Sequence, residues 1–101
     1  MLDSLGMPVF IAVPLTQSTQ TLNAAVTRII VEADRYKLQQ DRGWLIQFSG
    51  TTVELSNKLE ITGQPPGTPS PIGSAIVCPI TSYYGRGSNE MWEWLKTRFE
   101  Q

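Results

Sequence analysis

The stretch YKLQQDRGWLIQFSG, Tyr36 to Gly50, lies between two segments of helical character, and its reading decides the fold. It runs as two apolar-polar segments either side of Asp41, Arg42 and Gly43, residues suited to a tight turn, so it reads as a hairpin of two strands. The first strand, Tyr36 to Gln40, is polar on one side, as a sheet edge is. The second sends Trp44, Ile46 and Phe48 to one face and Leu45 and Gln47 to the other, because successive side chains of a strand alternate.

On the N-terminal side of the hairpin, Leu22, Val26, Ile29 and Ala33 recur at helical spacing, with Ala25 and Ile30 widening the stripe. This predicts an amphipathic helix within Ser18 to Arg35, with the hydroxyl of Ser18 or Thr19 capping its first turn. Before it, PVFIAVP (Pro8 to Pro14) is apolar throughout, which suits a strand at the sheet centre, covered on both faces. On the C-terminal side, Thr51 followed by Glu54 is a capping box that starts a short helix ending near Glu60, with Val53, Leu55 and Leu59 on its apolar side. GQPPGTPSPIG, Gly63 to Gly73, is too rich in proline and glycine for helix or central strand and reads as a long exposed loop. Ser74 to Thr81 is a further strand, and Pro79 within it argues for an edge.

The order is strand, helix, strand, strand, helix, strand, followed by a terminal helix. It predicts an α+β fold, a ferredoxin-like βαββαβ sandwich with an antiparallel four-stranded sheet, two helices on one face and an added C-terminal helix. In the usual order of such a sheet, 4-1-3-2, the first and third strands are central. That agrees with the edges read from composition. Residues 1–101 form one domain, with residues 1–6 read as a disordered leader and 63–73 as the exposed loop. If Val9, Ile11 and Val13 join Trp44, Ile46 and Phe48 under the two helices, then Phe10, Ala12 and Leu45 are left on the open face.

Composition narrows the function. Eight Lys and Arg stand against nine Asp and Glu, for a net charge of -1, without the basic excess typical of proteins that hold nucleic acid by its phosphates. There is no histidine and one cysteine, Cys78, so a structural zinc site, an internal disulfide and histidine-activated serine catalysis are excluded. Cys78 lies in the apolar run AIVCPI, where it reads as a small buried hydrophobe. No apolar run is long enough to span a membrane, no secretory signal is evident, and a cytoplasmic location is the default expectation. No cofactor is expected.

The first strand VFIAV, the segment GWLIQFSGTTVELSNKL (Gly43 to Leu59) and the ending SAIVCPITSYYGRGSNEMWEWL (Ser74 to Leu95) together resemble the SinR-like group of small bacterial and phage-borne ferredoxin-like proteins, related to the CRISPR-associated small endoribonuclease family. The resemblance implies a homodimer. In the nuclease relatives it also implies a metal-binding aspartate at the end of the first strand, where a hard cation would position water for phosphodiester attack. The matching positions here are Val13, Pro14, Leu15 and Thr16, and no acid is among them. Catalysis by that mechanism is therefore not expected, and no catalytic, metal or cofactor residue is assigned.

The terminal helix, opened by Ser88 or Asn89 with Glu90 in its first turn, presents Met91, Trp92, Leu95 and Phe99 on one face, with Trp94 at the border. It should fold over its own sheet edge or dock on a second protomer. Tyr83, Tyr84 and Arg86, set among glycines, resemble a small binding loop whose rings and guanidinium could stack or grip phosphate. With Trp94 they are the candidate contacts to a protein partner or nucleic acid. The expected function is a non-catalytic interaction or regulatory module acting as a homodimer. The alternatives are a metal-dependent ribonuclease or deoxyribonuclease and a non-cleaving RNA binder.

Overall fold

The computed structural model of the chain describes residues 8–99, and the expected leader lies outside them. Its elements are β1 (Val9–Pro14), α1 (Thr19–Ile29), β2 (Arg35–Lys37), β3 (Trp44–Gln47), α2 (Thr52–Lys58), β4 (Ala75–Ile80) and α3 (Asn89–Phe99). The strands form one antiparallel sheet in the order β2-β3-β1-β4, so β1 and β3 are central and β2 and β4 are the edges.

The face of β1 that meets α1 and α2 is the opposite of the expected one. Phe10 pairs with Ile46 and Ala12 with Trp44, and cross-strand partners share a face. These four residues pack with Leu22, Ala25, Val26, Leu55 and Leu59 in the main core, leaving Val9 and Ile11 on the other side with Leu45. In β3 the alternation falls as read. The difference is physical: a run apolar at every position contains no alternation, and only pairing with β3 chooses its inner face.

The helices are shorter than their apolar stripes. α1 buries Leu22, Ala25 and Val26 and stops at Ile30, where the backbone becomes extended, so Ala33 leaves the stripe and is exposed. Ser18 sits at the N-cap without donating or accepting a capping side-chain bond. Instead it is buried, with its Oγ facing Gly73, where an added Cβ would lie 2.9 Å away. The capping box of α2 is formed in both directions: Glu54 N donates to Thr51 Oγ1 at 3.1 Å, and Thr51 N donates to Glu54 Oε1 at 2.8 Å.

The hairpin turn is wider than the expected Asp41 to Gly43 turn. β2 ends at Lys37, and Gln39–Asp41 coil into a 3-10 turn in which Gln40 and Asp41 hold positive φ of 59° and 55°. Side chains hold it there: Asp41 pairs with Lys37 at 2.7 Å and accepts from Asn23 at 3.3 Å, while Asn23 also accepts from Trp44 Nε1 at 2.8 Å. Gly43 is required by close approach, since a Cβ there would lie 2.5 Å from the Ala12 carbonyl oxygen.

The proline-rich loop is largely exposed from Gly63 to Pro71 but is fastened at its end. Ile72 is buried in the main core, and its carbonyl accepts from Thr21 Oγ1 at 2.6 Å. Leu15 N then donates to the Ser74 carbonyl at 2.9 Å, starting the β1–β4 ladder. From that bond the register follows: Val13–Ile76, Ile11–Cys78 and Val9–Ile80 are the bonded pairs, and Ala75, Val77 and Pro79 turn their backbone groups outward. Pro79 thus costs the sheet no bond and leaves a gap in the outer edge of β4.

Candidate functional site

The second face of the sheet is covered by α3 of the same chain, over the face rather than the edge. Val9, Leu45 and Leu95 are buried between them, each 3% exposed. Ser88 starts the helix as expected, accepting from Met91 N at 3.2 Å through Oγ and from Trp92 N at 3.2 Å through its carbonyl. Leu95 occupies the centre of the apolar stripe. The aromatic residues lie along its two borders.

One border holds Tyr83. Its ring stacks on Trp92 with centroids 5.6 Å apart and 27° between planes, and meets Phe99 at 5.0 Å. The other border holds Trp94, which tilts against Tyr36 of β2 at 6.3 Å and lies beneath the Arg98 guanidinium at 4.1 Å. Arg98 also donates to the Ala33 carbonyl, tying α3 to the connection after α1. Tyr84 is fully exposed and makes no ring contact among the described residues. Tyr83 and Trp94 are thus joined to rings of their own chain, on the two borders of the helix.

Arg86 lies on a groove of about 230 Å³ between the hairpin turn and the start of α3. Tyr36, Leu38 and Met91 supply its apolar surface. Gln39, Arg42 and Arg86 bring polar groups, with Gly87 and Ser88 completing the lining. The Tyr36 hydroxyl shares a hydrogen bond of 3.2 Å with Ser88 Oγ, fixing that ring to the helix start. Tyr36 therefore links two of the candidates, because it touches Trp94 and lines the groove with Arg86.

The electrostatics of the turn set the two arginines apart. Lys37, by its hydrogen bond and then its charge, holds the Asp41 carboxyl below its ordinary range, with Asn23 adding to the effect. The carboxylate nearest in sequence to Arg42 is thereby engaged. Arg42 instead donates through Nε and Nη2 to the neutral Oε1 of Gln40, at 3.2 and 3.0 Å. None of the groove residues is acidic. Sequence reading had no means to pair Arg42 with Arg86, which lie far apart in the chain and come to line one groove only through the docking of α3.

Among the described residues no group of three or more His, Cys, Asp or Glu side chains could hold a metal ion, and no helix is long and apolar enough to cross a membrane. Cys78 is half-buried rather than buried, on the α3 side of the sheet opposite Ile11. No family model, curated protein or solved structure matches the chain.

Proposed function

We propose that this chain is a non-catalytic interaction module of ferredoxin-like βαββαβ architecture, related to the SinR-like and small CRISPR-associated nuclease group, acting in the cytoplasm as a homodimer that binds or regulates a protein partner. Read from the β4 edge, the observed strand order is 4-1-3-2. That supports the fold name. The residues at the end of β1, Val13 and Pro14, and the following Leu15 and Thr16 carry no carboxylate, which supports the non-catalytic reading.

The observation that carries the homodimer is the uneven cover of the second face. Beneath α3 the sheet is sealed, but towards the end of β1 the same register exposes Leu15 at 44% and Ile76 at 48%, beside half-buried Ile11, Val13 and Cys78. A second copy suits this patch because none of these side chains is charged, so two-fold pairing opposes no like charges. Strand addition is disfavoured at both edges: β2 is three residues long with Arg35 and Lys37, and Pro79 interrupts β4. The face remains the surface for association.

Light scattering of the full chain is expected to give twice the monomer mass of 11.2 kDa. Ile76→Asp should return it to monomer with an unchanged circular dichroism spectrum. A monomer at high concentration would overturn the dimer. RNA or DNA cleavage that requires Mg²⁺ or Mn²⁺ and stops with chelator would overturn the non-catalytic reading.

A further inference from the structure

At the β2 edge, across the sheet from the apolar patch, the groove between Arg42 and Arg86 combines features that suit one class of ligand. We infer that it takes a nucleoside monophosphate unit, with its phosphate held between the two guanidinium groups and its ring against the apolar wall of Tyr36, Leu38 and Met91.

The phosphate follows from charge. Arg42 and Arg86 both line a groove that has no carboxylate in its lining, in a protein of net charge -1, and Lys37 engages the one acid of the adjacent turn. A phosphate monoester carries about -1.5 to -2 at neutral pH, so it matches two cations where a carboxylate would match one. Guanidinium forks also fit phosphate oxygens with paired hydrogen bonds. Gln40 holds the Arg42 guanidinium through a neutral oxygen, which leaves its charge uncancelled. Of the amides in the first turn of α3, Ser88 already satisfies those of Met91 and Trp92.

The single unit follows from size and shape. At about 230 Å³ the groove is smaller than a typical drug-sized pocket of roughly 300–1,000 Å³ and accommodates a phosphate with part of one nucleoside. Its apolar wall suits a planar ring. Gln39 at the rim adds an amide able to bond a base or sugar.

Such a unit can be a free nucleotide or the phosphorylated end of a single strand, and one titration series separates them. Amide NMR of the full chain would be followed on adding AMP, adenosine, inorganic phosphate, and a short RNA with or without a terminal phosphate. AMP is expected to give saturable shifts centred on Leu38, Gln39 and Gly87 to Met91, while adenosine gives none. Arg42→Gln and Arg86→Gln should each weaken AMP binding about tenfold, and Arg28→Gln, which removes the distant partner of Glu60, should leave it unchanged. Tighter binding of the phosphorylated RNA than of AMP would assign a strand end as the source, and equal binding a free nucleotide. No saturable shift at millimolar AMP and low salt would overturn the inference, as would equal binding by a folded double variant lacking both arginines. The result is separable from the dimer: a monomer that binds AMP keeps this site, and a dimer that ignores it loses this site alone.

Discussion

The two faces of the sheet are built from similar amounts of apolar sequence but closed differently. On the first, residues of α1 and α2 pack with Phe10, Ala12, Trp44 and Ile46, and the aliphatic residues of that core are almost wholly buried. On the second, α3 alone seals Val9, Leu45 and Leu95, while the half-buried Tyr36, Tyr83, Trp92 and Trp94 close its flanks. Geometry explains the contrast. Four strands spaced by about 4.8 Å span roughly 15 Å between outer strand axes, and a helix about 10 Å across cannot cover that width and the length of β1 together. One face is therefore a core. The other is part core and part surface, and both the apolar patch and the arginine groove lie at its margins.

The comparison would break most plainly at its centre. Phe10→Ala removes a ring that is 2% exposed and should cost about 3–5 kcal/mol, read from the urea unfolding midpoint. Leu95→Ala, the corresponding change beneath α3, should cost less, about 2–3 kcal/mol, because a single helix can settle toward the vacancy. Equal losses would mean that the faces are energetically alike. Trp94→Ala removes the contact with Tyr36 and the surface beneath Arg98, and about 1–2 kcal/mol is expected. A null result there would place the stability of the second face in its aliphatic centre alone.

Two smaller effects sharpen the contrast. Thr51→Ala breaks the capping box of α2 and should lower stability by about 1 kcal/mol, showing that the first face depends more on packing than on helix ends. The last concerns Asp41 at the hairpin turn. Its folded pKa lies below the unfolded value, so its pairing with Lys37 contributes above the unfolded pKa and is lost as pH falls through the folded one. The group is solvent-exposed, and the effect is small. Carboxyl NMR should show the Asp41 pKa rising toward its ordinary value in Lys37→Gln; an unchanged titration would remove Lys37 as the cause.

The candidate site was legible only in part. Arg86 could be picked out because a guanidinium among glycines is a recognisable loop pattern, and the structure places it on a groove. Tyr83 belonged to the same pattern, yet its ring is stacked on Trp92 and Phe99 within the chain. Tyr36 read as a residue of an edge strand and Arg42 as a residue of a turn. Neither pattern signals a groove, because their neighbours across it come from a segment about fifty residues later.

Local interactions wrote the inventory of elements into the sequence: helical spacing in α1 and α3, the Thr51–Glu54 box, and the prolines and glycines that confine residues 63–73 to a loop. Each depends on residues a few positions apart, and their order made the α+β class readable. Tertiary structure alone decided the inner face of β1, the wider turn at Gln40 and Asp41, the docking of α3 on its own sheet and the groove that Arg42 and Arg86 both line. Those outcomes depend on which distant surfaces pack together. A strand apolar on both sides and a helix with one apolar stripe each accept more than one partner, and only simultaneous burial of all of them selects the arrangement.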